Sequence, residues 1–221
     1  MRIPVRKRII IPISILIIIF IIFVSIFSKQ SSRIKLYNQI SRSDFIPEKV
    51  RVAAILHLAD SGRNAIPYLI NLLENNNDVV QERVMFFLSS LVPDKKYLSI
   101  IITHTKNTAN ENIKILGLIT LSRMNLWNSQ VAEIFNEALV DFRPSVRATA
   151  TVLIKKFNQL TMEEKITKTM EMLRDNNIGV RRVAADNLNL LTTQDFGSEY
   201  DLWYTWWLKE KWEIKENEKS K

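Results

Sequence analysis

One short pattern recurs along this chain and restricts it to an architecture of stacked helices. It reads Val-Arg-Ala-Thr-Ala-Thr-Val-Leu-Ile from Val146, Val-Arg-Arg-Val-Ala-Ala-Asp-Asn-Leu from Val180, and Val-Arg-Val-Ala-Ala-Ile-Leu-His-Leu from Val50. Each copy has an apolar residue at i, a basic one at i+1, Ala at i+4 and an aliphatic residue at i+8. Weaker copies fall between them: Val80, Gln81, Val84, Leu88, and Ile113, Lys114, Gly117, Leu121. The starts are separated by 30, 33, 33 and 34 residues. A fixed period of this size marks a repeat architecture. Positions i, i+4 and i+8 share one face of an α-helix, and a small residue at i+4 admits a neighbouring backbone.

A second apolar run follows each motif helix. The clearest is Asn64-Ala-Ile-Pro-Tyr-Leu-Ile-Asn-Leu-Leu73, with Asn64 predicted as its N-cap and Pro67 in the first turn. Thr161-Met-Glu-Glu164 reads as a capping box. Asn/Asp-rich breaks come next, at Asn75–Asp78 and Asp175–Asn177. The unit is helix, turn, helix, turn. One such pair cannot bury its own stripe, so neighbours must stack.

These residues resemble the HEAT repeats, in particular the bacterial HEAT-like repeats first noted in phycobilisome lyases. The matching parts are the Val-Arg-x-x-Ala cores, the Ala65-Ile66-Pro67-x-Leu69-x-x-Leu72-Leu73 run, and Asp141 and Asp175, each five residues before the next Val. The match covers roughly residues 47–192. It implies an all-α, right-handed α-solenoid of about four and a half stacked helix pairs, used as a scaffold or binding surface. It also implies polar contacts between repeats, carried here by Asp141, Arg147, Asp175 and Arg181; the second and third repeats have Gln81 and Lys114 in place of the Arg.

The repeats are not the whole chain of 221 residues. After a basic tail, 1–8, residues 9–27 are uncharged and almost wholly apolar. At about 1.5 Å rise per residue they match the roughly 30 Å core of a bilayer. They are expected to form a single transmembrane helix. A cleaved signal peptide, which would leave a secreted soluble solenoid, is the rival reading. The segment is longer than the usual apolar region and ends Val-Ser-Ile-Phe-Ser without an Ala-x-Ala site. With no Cys anywhere, a lipoprotein anchor is excluded. Arg2, Arg6, Lys7 and Arg8 crowd the N-terminal flank more densely than Lys29, Arg33, Lys35 and Arg42 follow. That favours a cytoplasmic N-terminus in the cell membrane with the repeat domain outside the cytoplasm. Residues 28–46, with an Ile34-Leu36-Tyr37-Ile40 stripe, form a juxtamembrane linker or helix.

The net charge of +8 divides unevenly, with +7 in residues 1–49 and +1 in residues 50–221. The surplus belongs to the membrane flanks. A nearly neutral repeat domain argues against nucleic acid, which needs a basic stripe.

Terminal repeats need a cap. Residues 193–212 are the candidate. They carry a Phe196-Gly197 turn, then Trp203, Trp206 and Trp207 on one helical face. This resembles the closing element of many bacterial HEAT-like proteins. The alternative is a Trp platform for a ligand or a membrane interface. Residues 213–221 form a charged tail expected to fray.

No catalytic constellation is present. The two histidines, His57 and His104, lie in different repeats, and His57 reads as a helix-surface or packing residue. No metal-ligand spacing occurs, and four glycines make no phosphate-cradling loop. Asp195-Phe196-Gly197 spells a kinase magnesium motif without the loops that would give it meaning. No cofactor or metal is expected.

In the family's geometry the motif helices line a concave groove, and positions i+2, i+6 and i+9 face into it. The candidate partner-binding residues are Glu82, Phe86, Ile115, Ile119, Val152, Lys155 and Arg182. An apolar centre with a polar end fits a protein or peptide. The other reading of these columns is packing against adjacent helices. The expected function is a membrane-tethered repeat scaffold that holds a protein or peptide in its groove. The lyase resemblance supplies the alternative, an accessory or lyase-like enzyme subunit. A pocket of convergent ionisable groups would favour that reading.

Overall fold

The computed structural model describes residues 19–21 and 30–219. Those residues are helical or in turns, with no strand among them. The apolar segment 9–27 lies outside the described residues except for 19–21, which are helical. Among the described residues no helix is long and apolar enough to cross a membrane. The chain divides into two compact units, 1–91 and 92–221.

The first unit contains α1 (Gln30–Arg42), α2 (Glu48–Ala59), α3 (Ile66–Leu72) and α4 (Asp78–Leu91). The Ile34-Leu36-Tyr37-Ile40 stripe is therefore helical. Ile34, Tyr37 and Ile40 of α1 are buried, Leu36 is half-buried, and α1 packs along α2. Helices α2 and α4 lie side by side, and α3 packs on α4. Asn64 does not cap α3. It falls in a 3-10 turn, Gly62–Ala65, that runs straight into the helix, whose N-cap residue is Ala65. Gly62 takes a φ of +62°, so the chain reverses through a left-handed residue here instead of a side-chain cap.

The second unit contains α5 (Leu98–Asn107), α6 (Glu111–Met124), α7 (Ser129–Leu139), α8 (Pro144–Ile154), α9 (Met162–Glu171), α10 (Ile178–Thr192) and α11 (Tyr200–Lys219). The motif helices α6, α8 and α10 pack side by side, and α5, α7 and α9 each pack on the motif helix that follows. The capping box at Thr161 forms as expected: Thr161 accepts from the Glu164 N–H while Glu164 accepts from the Thr161 N–H. Between α7 and the turn after α8, Trp127, Phe135 and Phe157 pack with ring centroids 4.6–5.8 Å apart.

The register read from sequence is the register of burial. Val50, Val80, Ile113, Val146 and Val180 at i are all buried, as are Ala54, Val84, Gly117, Ala150 and Ala184 at i+4. At i+8, Leu58, Leu88, Leu121, Ile154 and Leu188 are fully enclosed. Motif helices begin at Glu48, Asp78, Glu111, Pro144 and Ile178.

The C-terminal segment closes the second unit. Trp203 is fully buried, its Nε1 donates to the Gly197 carbonyl at 2.8 Å, and Phe196 meets it edge-on at 4.9 Å. Trp207 is buried and Trp206 half-buried against the same cluster as Leu173, Ala184 and Leu188. With two of the three indoles inside, the capping reading accounts for them better than an open platform. Gly197, at φ +55°, and the Asp195 side chain accepting its N–H make a tight turn of Asp195-Phe196-Gly197. The tail expected from residue 213 instead continues α11 to Lys219. Within α11, Lys211 pairs with Glu163 of α9.

Candidate functional site

The turn that leads into each motif helix after the first has one construction, which sequence reasoning caught only in part. At i−5 stand Asn75, Thr108, Asp141 and Asp175. Each side-chain oxygen accepts the N–H two residues on, from Asn77, Asn110, Arg143 and Asn177, at 2.8–3.1 Å. At i−3, Asn77, Asn110 and Asn177 cap the helix by accepting the N–H of Val80, Ile113 and Val180. An Asx or Ser/Thr turn thus feeds an N-cap two residues later. The i+1 side chain folds back over the same turn. Gln81 donates to the Asn75 carbonyl at 2.7 Å, Arg147 to that of Asp141 at 2.7 Å and Arg181 to that of Asp175 at 2.8 Å.

Of the expected contacts between repeats in the second unit, those of Asp141, Arg147 and Asp175 form, whereas Arg181 bonds only within the turn before its own helix. Arg147 grips Asp175 of the next repeat through Nε at 2.6 Å and a second nitrogen at 2.8 Å, and also donates to Asn176. Lys114, which stands where the Arg would, reaches Asp141 at 3.2 Å. Arg143 was not foreseen; it clamps Asp141 with two bonds of 2.8 Å and donates to the Ala109 carbonyl. Arg143 first, then Lys114, hold the Asp141 carboxyl well below the usual carboxylate range against the opposing effect of burial. Arg147 lowers the pKa of Asp175, again against burial. These groups are almost entirely enclosed and their hydrogen-bonding capacity is directed inward. They join repeats to each other and present little to a ligand.

In the first unit the ladder changes. Arg51 is as buried as Arg147, at 7% and 8% exposure. The i−5 residue of the next repeat is the neutral Asn75, and Arg51 turns to Asp44 at 3.1 Å, whose carboxylate is largely exposed. The Arg51 Nε–H has no acceptor.

The proposed groove residues divide between the units. In the first, Glu82 is half-buried and Phe86 is 45% exposed on α4, beside Leu56 of α2, 49% exposed at the same i+6 position. Phe87 meets Phe86 edge-on at 5.3 Å, and the Arg83 guanidinium lies 5.9 Å from its ring. In the second unit, Ile115 and Ile119 on α6 are half-buried. Val152 on α8 is 37% exposed, Lys155 half-buried and Arg182 exposed. Burial, and secondly Lys156, pull the Lys155 ammonium below its ordinary pKa.

Two pockets of the first unit gather ionisable groups, one of them with Arg42, Asp44 and Glu74 in its lining and the other with a histidine. The latter has a volume of about 220 Å³ and is lined by Gln30, Arg33 and Tyr37 of α1 with His57, Asp60 and Ser61 at the end of α2. The His57 ring stacks on Tyr37 at 5.2 Å and 22°. Its Nδ1 stands 3.7 Å from Asp60, an ion-pair distance too long for the hydrogen bond that would orient a general base. A second pocket, of about 230 Å³, lies beside Arg42, Asp44 and Asn75. Among the described residues no group of three or more His, Cys, Asp or Glu could hold a metal ion. No protein-family model matches this chain, and no curated protein matches it.

Proposed function

We propose that this protein is a membrane-tethered, right-handed α-solenoid of the HEAT type that binds a protein or peptide on the outward face of its motif helices. The side-by-side motif helices within each unit, with second helices packed on the next repeat, support the solenoid reading. The observation that carries the binding reading is the i+6 column. Leu56 and Phe86 stay about half exposed on adjacent helices of one unit, and Val152 stays exposed beside half-buried Ile119 in the other. Large apolar side chains kept at one register position of successive repeats suit an apolar partner surface. Lys155 and Arg182 supply a polar margin, and the partner completes the apolar part. Residues 9–27 hold the chain in the cell membrane with the N-terminus cytoplasmic and the repeats outside.

A photo-crosslinking residue placed at Phe86 or Val152 of the full-length chain, in its native membrane, should yield discrete adducts with a partner. Phe86→Ala should lower capture of that partner at least fivefold while the melting temperature shifts little. Unchanged capture together with a clear loss of melting temperature would make Phe86 a packing residue and remove the reading.

A further inference from the structure

One joint between repeats is built differently in the two units, and in the first unit a pocket opens beside it. In the second unit the Asp175 carboxylate holds the Arg147 guanidinium through Nε and Nη2, and the Asn176 side chain accepts a further bond. In the first unit Asn75 and Asn76 stand at the same two positions, i−5 and i−4 of the next motif helix. The Asn75 Oδ1 is committed to the Asn77 N–H at 3.0 Å. Arg51 keeps one carboxylate, Asp44, at 3.1 Å through Nη1, and its sheltered Nε–H meets no acceptor among the described residues.

The pocket has a volume of about 230 Å³. Asn75 and Asn76 line it together with Asn71 of α3, Glu74 just beyond that helix, Arg42 at the end of α1 and Asp44 in the turn that follows. Arg42, Asn71, Glu74 and Asn76 are exposed. Asp44 is the weak member of the set. Its side chain is 85% exposed, and an ion pair made at such a place contributes little. The buried Arg51 guanidinium gains more from a carboxylate that is itself drawn out of water. Arg42 supplies a second cation for such a group, and offsets Glu74 charge for charge. A carboxylate brings a single negative charge, which these two cations accommodate; the second charge of a phosphate would meet Asp44 and Glu74. The amides of Asn71 and Asn76 both donate and accept, as a peptide bond requires of its partners.

We propose that this pocket takes an aspartate or glutamate side chain of a partner peptide, whose carboxylate displaces Asp44 from Arg51 and pairs with Arg42. The partner thereby completes from outside the joint that Asp175 completes within the chain. The inference stands apart from the i+6 column and from the membrane anchor.

The test uses the full-length protein in detergent micelles, with the Arg51 Nε–H resonance as reporter and acetyl-Gly-Asp-Gly-amide as the probe. The probe should move that resonance saturably. Acetyl-Gly-Asn-Gly-amide and inorganic phosphate should each bind at least tenfold more weakly. Asp44→Asn removes the competing carboxylate and should tighten binding threefold or more. Arg42→Gln should weaken it fivefold or more. Asn75→Asp installs the carboxylate within the chain and should abolish the response. A parent resonance that the probe leaves in place, equal binding of the Asn peptide, or undiminished binding by Asn75→Asp overturns the proposal. Weaker binding by Asp44→Asn overturns the displacement, since Asp44 would then belong to the site. Equal binding of phosphate overturns the peptide assignment and leaves a general anion site.

Discussion

Gly117 is the small residue of the third repeat, and the structure gives the cost of enlarging it. A Cβ at this position would lie 2.1 Å from Thr105 Oγ1, 2.8 Å from Cγ2 and 2.9 Å from Cβ of the same residue. Thr105 is fully buried on α5, and its hydroxyl donates to the Ile101 carbonyl at 2.7 Å. Rotating the threonine relieves at most the first two contacts, because the third involves its own Cβ. Helix α5 must therefore move away from α6. Overpacking of this kind costs about 1–3 kcal/mol. Replacing Gly by Ala in a helix interior returns about 1 kcal/mol of propensity. Contacts as short as these put the cost in the upper part of that range, about 2–3 kcal/mol, so Gly117→Ala should lose about 1–2 kcal/mol net, a fall of roughly 3–6 °C in Tm for a unit of this size. Gly117→Leu should lose considerably more. Thermal melts of the full chain in detergent, followed by helical circular dichroism, read the effect. A double-mutant cycle isolates its cause: Thr105→Ala removes Oγ1 and Cγ2, so the pair Thr105→Ala/Gly117→Ala should be more stable than the two single losses add up to. A Gly117→Ala protein that melts at or above the parent would refute the reasoning, since only the propensity gain would then remain.

The polar joints between repeats carry two more expected outcomes. Asp141 and Asp175 have folded pKa values pushed below the unfolded value near 3.9, so their contribution to stability is present above that value and is lost as pH falls through the folded one. Tm should hold steady from neutral pH to about 5 and then fall, and Asp175→Asn should cost about 3 kcal/mol at neutral pH and flatten the acid limb; parallel acid limbs for parent and variant would remove Asp175 from the account. In the first unit, Asn75→Asp places a carboxylate where Asp175 meets Arg147 and should raise stability by about 1 kcal/mol by giving the Arg51 Nε–H an acceptor; urea titration reads the gain, and no gain would mean that the two junctions are not equivalent.

The parts of this fold visible in the sequence are those set by local periodicity. A helix repeats every 3.6 residues whatever packs on it, so the i, i+4 and i+8 columns identified the buried face at all five copies, Val84 in the place of Ala included. A helix start was legible at Thr161, where the capping box with Glu164 forms. Asn64 misled because capping chemistry is necessary for a cap but not sufficient; the chain there runs from a 3-10 turn into α3 without needing one. Exposure of Ile115 and Ile119 was not legible, because it depends on how closely neighbouring motif helices approach. The Tyr37–His57 stack was hidden for a related reason. It depends on the docking of α1, which is not part of the repeat and has no other copy to compare.

The turn before each motif helix after the first was hidden differently. Asn75, Thr108, Asp141 and Asp175 look unlike one another as letters, yet each offers an oxygen to the same backbone N–H. What the turn requires is an acceptor, which three kinds of side chain supply. The joint to the preceding repeat requires more. Only a carboxylate can also neutralise the buried cation at i+1, as Asp141 does for Lys114 and Asp175 for Arg147. Asn75 builds the turn without completing the joint. The identity of the residue at i−5 therefore separates two demands that position alone confounds. Local chain reversal is met in all four turns, whereas electrostatic coupling between repeats is met where the acceptor is charged. Arg51 is the case in which the first demand is satisfied and the second is not: buried opposite the neutral Asn75, its guanidinium is drawn out to a solvent-exposed Asp44 and leaves its Nε–H without an acceptor.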